Sequence, residues 1–287
     1  MGVWIAALAA VPGLARSQPE DLFYERTVMT AADARCGLFA PAIGAALAAS
    51  TAQARGAALR AGRPEADLRA LERTARAKVA AVSCASPDIA LAAGRVKTAF
   101  SGFARITRLT YPGDVAPWLA DREGRVSSWR LIQETRFGAD RMAFGLAGRD
   151  APAAALIAVG RFADGQEPYA ARLLFRDTGR SSQAYLDRWG AGSTAGLPLD
   201  RRMPPRGALK AYAAQARSPA GEDLLPKGVK AGWAFRFPEA AQRELAGLDP
   251  REAVAVEFLF QGDVTRRAYV EVGDFAAGRA FLQMASR

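Results

Sequence analysis

The first hundred residues carry apolar positions at helical spacing, most of them alanine. Residues 30–61 are alanine-rich, a glycine–proline break follows at 62–64, and residues 65–84 resume the pattern with larger apolar side chains. The apolar stripe of this second stretch consists of Leu68, Leu71, Ala75, Val79 and Val82. The pattern predicts an αα-hairpin over these two stretches, and residues 88–106 are predicted to form a third helix.

From Val126 onward the apolar period changes from that of a helix to that of a strand. Segments 126–137, 141–148, 153–162 and 169–177 are predicted strands, separated by short turns that contain Gly and Asp. Alternation of this kind, with such turns, is typical of antiparallel hairpins.

The last third of the chain predicts further strands at 233–237, 254–260 and 268–272, with short helices at 239–248 and 275–284. The expected fold class is therefore α+β. A disulfide-pinned helical hairpin or three-helix region precedes an antiparallel β-rich sandwich or partial barrel with two short helices.

The domain boundaries follow from these changes of pattern. A helical domain is expected over 18–108, and a turn-rich linker with Pro and Gly over 109–125. A β-rich domain is expected over 126–287. Inside it, residues 178–231 are rich in Gly, Pro and Arg and are predicted to form a long basic loop with one short helical piece near 207–216.

An uncharged apolar run occupies residues 3–15 and is followed by the small-residue pattern Ala15-Arg16-Ser17. The run is too short to span a bilayer as a helix, but it suits the core of a signal peptide over residues 1–17. No basic side chain precedes it, and the alternative is a buried N-terminal helix. We expect a periplasmic or secreted protein without a transmembrane anchor after cleavage.

Cys36 and Cys84 are the cysteines of the chain. In an oxidising compartment such a pair predicts one disulfide, and the hairpin geometry brings the two positions near each other. Two buried free thiols or a redox site are the alternatives, although the Cys-x-x-Cys spacing of redox motifs is lacking.

The formal net charge of +10 arises from 39 basic against 29 acidic residues. Scattered arginines favour a compositional origin, while the functional alternative is a surface that attracts polyanions. The most basic segment, 178–231, also carries aromatic residues. Its candidate ligand-binding residues are Arg188, Trp189, Arg201, Arg202, Arg206, Lys210 and Tyr212. Arginine pairs with phosphates or carboxylates and aromatic rings stack on sugars or bases, whereas the alternative is a solvated loop.

The chain contains no histidine, which removes the Ser–His and Cys–His nucleophile pairs and most zinc sites. It also lacks the glycine spacings of phosphate-binding and dinucleotide-binding loops. We therefore predict no catalytic residue, no metal and no cofactor. The remaining candidates for acid–base chemistry are the carboxylates Glu252, Glu257, Asp263, Glu271 and Asp274.

The expected function is that of an exported, non-enzymatic binding or scaffold protein of the bacterial cell envelope. Its partner would be another envelope protein or an anionic envelope polymer, and no nucleic acid is expected if the protein is exported. The first alternative is an exported hydrolase in which two carboxylates act on an envelope polymer. The second is a basic nucleic-acid-binding protein, if the chain is not exported.

Overall fold

A computed structural model describes residues 19–103, 105–124, 127–150, 153–186, 194, 196–225 and 228–284. The expected signal peptide, residues 1–17, lies outside the described residues. The described chain has helices in its N-terminal part followed by antiparallel sheets, so the predicted α+β class is confirmed.

The N-terminal helices are α1 (Pro19–Cys36), α2 (Pro41–Arg60), α3 (Glu65–Ala80) and α4 (Pro87–Phe103). Residues 30–61, expected to be helical with a kink or restart at Pro41, form the end of α1 and all of α2, and α1 begins earlier than the predicted helical stretch.

The break between α1 and α2 has a local cause. Gly37 adopts a φ of 61°, which places it in the left-handed region that ends a helix. Pro41 then occupies the first turn of α2, where its missing N–H and fixed φ are tolerated.

The predicted disulfide is present between Cys36 and Cys84, with Cα atoms 5.7 Å apart. Cys36 is the last residue of α1, and Cys84 lies in the connection between α3 and α4. Nearby, the Arg35 guanidinium donates to the carbonyl oxygens of Val79 (2.5 Å) and Val82 (2.7 Å). Covalent and hydrogen-bonding ties therefore join the end of α1 to the end of α3.

The described strands form two antiparallel sheets. The strands are β1 (Arg108–Tyr111), β2 (Trp118–Asp121), β3 (Trp129–Phe137), β4 (Asp140–Ala147), β5 (Ala155–Arg161), β6 (Ala170–Arg176), β7 (Leu209–Ala213), β8 (Ala216–Pro219), β9 (Trp233–Arg236), β10 (Ala253–Leu259) and β11 (Thr265–Glu271). One sheet has the order β1-β2-β3-β4-β5-β9-β8 and the other β11-β10-β6-β7. Short helices α5 (Glu239–Leu245) and α6 (Phe275–Leu282) complete the β-rich part.

Residues 109–125 are not a plain linker, because they supply β1 and β2 of the larger sheet. Tyr111 and Trp118 are buried and face each other in register across this pair. The Trp118 ring also packs against Phe275 of α6, with centroids 5.3 Å apart. Burial of these two large aromatic rings explains why a turn-rich segment forms an ordered edge of the sheet.

Segment 178–231 also contains more structure than a long loop. Residues 199–202 and 206–208 form short 3₁₀ turns, and β7 and β8 follow. The helical piece expected near 207–216 was wrong: β7 pairs with β6, with Leu173 opposite Tyr212. Pairing with an existing strand outweighs the helix propensity of the local alanines.

The main core lies between the two sheets and is rich in aromatic rings. Phe162 packs edge-on against Phe258 and Phe260, with centroids 5.1 and 4.9 Å away. Ala46 and Ala49 of α2 belong to this same cluster of buried residues. The helical and β-rich parts therefore share one core.

Helix α2 is tied to the start of α6 by a bidentate ion pair. Arg60 donates to the two carboxylate oxygens of Asp274 at 2.9 and 3.0 Å. Gly56, one turn earlier, lies so close that a Cβ atom there would be 2.8 Å from Asp274 Oδ1. A side chain at position 56 would push α2 away from α6, so glycine permits this close contact.

Candidate functional site

A cleft of about 660 Å³ opens between α1, α2 and α3. Each helix contributes residues at the spacing of one helical face. The lining residues include Thr27, Thr30, Ala31 and Ala34 of α1, Ala48, Thr51, Ala52 and Arg55 of α2, and Glu72, Arg76, Val79 and Ala80 of α3. Helix α1 packs against α2 and α3, so its lining face forms the floor between two walls.

The floor of the cleft is apolar although several threonines line it. The hydroxyls of Thr27 and Thr30 donate to the carbonyl oxygens of Phe23 and Arg26, four residues earlier, at 2.7 and 2.8 Å. The Thr51 hydroxyl bonds the backbone of α2 in the same manner. Because these hydroxyls donate within their own helices, and those of Thr30 and Thr51 also lie 3.3 Å apart across α1 and α2, the floor presents mainly apolar atoms.

One end of the cleft is closed by an ion-pair bridge from α2 to α3. Arg55 donates to both carboxylate oxygens of Glu65 at 2.5 and 2.6 Å. Its Nε also lies 3.9 Å from Glu72. The bridge neutralises Arg55 at the end where α2 and α3 approach their connecting turn.

The other end of the cleft is basic. Arg35 contacts backbone carbonyls of the α3 terminus rather than a carboxylate. Arg76 is exposed and makes no hydrogen bond or ion pair with any residue that the structure describes. The cleft therefore combines an apolar floor with unneutralised positive charge at one end.

Arg188 and Trp189, two of the ligand-binding residues expected from the sequence, fall outside the described residues, and the other five do not line the cleft. Arg202 is only 2% exposed; it donates to Asp114 Oδ2 at 3.1 Å and to the Thr194 carbonyl at 2.9 Å. These contacts hold the 199–202 turn against the β1–β2 connection. The hydrogen bonds of Arg202 therefore stabilise the fold in this region.

Lys210 and Tyr212 both donate to Oε1 of Glu244 on α5, at 2.7 and 2.6 Å. Arg201 and Arg206 are exposed in the two 3₁₀ turns. The structure thus joins Lys210 with Tyr212 and places Arg202 in a separate contact with a different acid. Ligand binding by this segment stays a prediction.

The candidate acid–base carboxylates each have a partner of their own, apart from the exposed Asp263 in the β10–β11 turn. Glu252 accepts two hydrogen bonds from Arg176, and Asp274 pairs with Arg60. Glu271 accepts from the backbone amides of Asp114 (3.1 Å) and Val115 (2.9 Å). These contacts stabilise charges on the β-rich part and give no support to a shared acid pair.

Glu257 lies between two arginines on the outer face of the smaller sheet. Arg172 and Arg267 both donate to its carboxylate, which is almost fully buried. Burial by itself raises the pKa of Glu257, but hydrogen bonds from Arg267 and Arg172 outweigh it and hold the pKa below its ordinary value of 4.5.

A carboxylate whose pKa is lowered by folding stabilises the protein above its unfolded-state pKa, and this contribution is lost as the pH falls through the folded-state pKa. We therefore expect Glu257→Gln to flatten the acidic limb of stability against pH, measured by urea unfolding at neutral pH and at about pH 3. The exposed Glu239→Gln variant is the control and should keep the wild-type slope. If the wild type, Glu257→Gln and Glu239→Gln all lose the same stability between neutral pH and about pH 3, the stabilising role of ionised Glu257 is contradicted.

The cleft was not predicted from the amino-acid sequence. Its floor lies on α1, of which only the last residues were predicted helical, and its lining is dominated by Ala and Thr. A signal was present in Thr27, Thr30, Ala31 and Ala34, which repeat at helical spacing. Such small residues resemble an ordinary packed helix face, so the pattern alone does not reveal an open cleft.

Comparison of the chain with protein-family models, with curated proteins and with solved structures gives no match. Among the described helices, none has the length and apolar character needed to cross a membrane. Within the same residues, no group of three or more Asp, Glu or Cys side chains is placed to hold a metal ion. The geometry of the cleft therefore carries the functional argument.

Proposed function

We propose that this protein is an exported, non-enzymatic binding protein of the bacterial cell envelope, periplasmic or secreted, and that the cleft between α1, α2 and α3 is its ligand site. The observation that carries the proposal is the cleft itself, whose floor and one wall are cross-linked by Cys36–Cys84. A pocket of a few hundred Å³ with an apolar lining and few polar groups is the usual form of a small-molecule site.

The disulfide supports the compartment. Disulfides persist in oxidising environments such as the periplasm and are rare in the cytosol. The apolar run at residues 3–15, with small residues at positions 15 and 17, is typical of a signal peptide and also supports export. The two features are independent of each other, since one concerns targeting and the other the redox state of the folded protein.

The contacts of the carboxylates favour binding over hydrolysis. A general acid or base needs access to substrate and a pKa near the working pH. Glu257 has its pKa lowered by two arginines, and Glu252 is enclosed with Arg176. Ion pairing of this kind is typical of structural carboxylates.

Intact-mass measurement of the native protein from fractionated cells, with and without reduction and alkylation, tests the export proposal. We expect a periplasmic or secreted form that begins near Gln18, in which Cys36 and Cys84 react with the alkylating agent only after reduction. A full-length cytosolic form with both thiols reactive would overturn the proposal. Nucleic-acid binding would then be the function to test, through the salt dependence of affinity for DNA and RNA.

A further inference from the structure

We infer that the cleft binds a single-chain amphiphile with an anionic head group, with the head at Arg76 and Arg35 and the apolar chain along the α1 floor towards Phe23. The inference rests on the proposed function, because it names the ligand class of the same cleft. It follows from the shape of the cleft, its lining and the distribution of charge along it.

The shape favours a ligand that ends inside the cleft. At one end, Arg55 joins α2 to α3 through Glu65 and Glu72, and Phe23 lies on the floor beside this bridge. A helix docked between α2 and α3 would have to pass this bridge or stop at it. A flexible chain fits such a dead end, because its terminal methyl can lie against Phe23.

The lining favours an aliphatic chain over a polar one. The hydroxyls of Thr27, Thr30 and Thr51 donate to carbonyls of their own helices, and the Thr30 and Thr51 oxygens also lie 3.3 Å from each other. A sugar or peptide in the cleft would find few donors and acceptors there to replace its hydrogen bonds to water, and unpaired polar groups are costly to bury. An acyl chain has no polar groups along its length, so its burial leaves no hydrogen bond to water unreplaced.

The charge places the anionic head at the opposite end. Arg35 Nη1 uses its donors on the carbonyls of Val79 and Val82, which leaves Nε and Nη2 directed away from those bonds. The positive charge of Arg35 also offsets the partial negative charge of the carbonyl groups at the C-terminus of α3. Much of the attraction for an anion therefore comes from Arg76. Arg76 is exposed and has no partner among the described residues, so its substitution removes no hydrogen bond or ion pair within that part of the chain.

Displacement of a neutral fluorescent reporter, N-phenyl-1-naphthylamine, from the full oxidised protein tests the inference. The competitors are dodecanoate and dodecan-1-ol, which share a chain and differ in charge, at mildly alkaline pH. We expect dodecanoate to displace the reporter at a concentration about tenfold lower than dodecan-1-ol, as one charge-assisted hydrogen bond allows.

Matched variants on α3 locate the binding. Ala80→Trp, which fills the cleft, should abolish reporter binding, whereas Ala77→Trp, exposed on the same helix outside the lining, should not. Arg76→Glu should remove the preference for dodecanoate, whereas Arg73→Glu should keep most of it because Arg73 does not line the cleft. Thermal unfolding of each variant confirms that it is folded.

The outcomes separate the two proposals. Equal displacement by the acid and the alcohol, with reporter binding still blocked by Ala80→Trp, would overturn the anionic ligand and leave the cleft as a binding site. Displacement by an acidic amphipathic peptide helix but by neither amphiphile would overturn the inference in favour of a docked helix. Reporter binding that is absent, or unchanged in Ala80→Trp, would refute the cleft as the ligand site and with it the inference.

Discussion

Reduction of the Cys36–Cys84 disulfide is expected to lower the free energy of unfolding by about 4 kcal/mol. The bridge joins residues 48 positions apart, and opening it restores the conformational entropy of that loop to the unfolded chain. Domains of ordinary stability unfold with about 5–15 kcal/mol, so the loss is a large part of the total.

Urea unfolding of the oxidised and reduced protein measures this effect. The double variant Cys36→Ser/Cys84→Ser is the control: it should resemble the reduced protein and should not respond to reductant. A midpoint that is the same with and without reductant in the wild type would contradict the prediction. Because the bridge links the floor of the cleft to one wall, we also expect the reduced protein to bind the neutral reporter more weakly.

Arg176→Met is expected to destabilise the protein by about 3–5 kcal/mol at neutral pH, since it leaves the buried carboxylate of Glu252 without its cation. The two side chains are 4% and 2% exposed and share two hydrogen bonds of 2.7 and 2.9 Å. Burial raises the pKa of Glu252 in spite of Arg176, and the variant should raise it further.

The pH dependence provides a second test of this pair. A carboxylate whose pKa is raised by folding destabilises the protein once the pH exceeds its unfolded-state pKa. The loss in Arg176→Met should therefore be largest at neutral pH and smaller at about pH 4, where the carboxyl group binds a proton.

Chemical denaturation of two further variants controls for charge and for volume. Arg243→Met removes an exposed partner of Glu239 and should cost less than about 1 kcal/mol. The double variant Arg176→Met/Glu252→Leu, in which both charges are absent, should be more stable than Arg176→Met alone. A loss in Arg176→Met no greater than that in Arg243→Met would refute the role of the buried pair.

Much of the β-rich part could be predicted because its signals are local. Alternating large side chains mark β9 and β10, and Gly or Asp residues mark the turns between hairpins. In these strands and turns, a pattern within a few residues determines the element. The disulfide was predicted on a different ground, because two cysteines in an exported chain are expected to pair.

The elements that sequence reasoning missed depend on contacts between distant segments. β1 and β2 form because Tyr111 and Trp118 are buried against α6, and β7 forms because β6 offers an unpaired edge. Helix α1 was obscured because its first turns mix charged and apolar residues without a clear stripe. The cleft is likewise a product of tertiary packing, since its lining belongs to three separate helices.

Helix α2 contacts different structures on two sides. Ala46, Ala49 and Gly56 pack towards the β-rich part, while Ala48 and Thr51 line the cleft. Under the proposed function, ligand specificity could change at Ala48 and Thr51 as well as on α1 and α3, whereas larger residues at positions 46, 49 and 56 would disturb the packing behind α2. Related chains with different ligands would then differ on the cleft side of α2 and keep small residues on its opposite side.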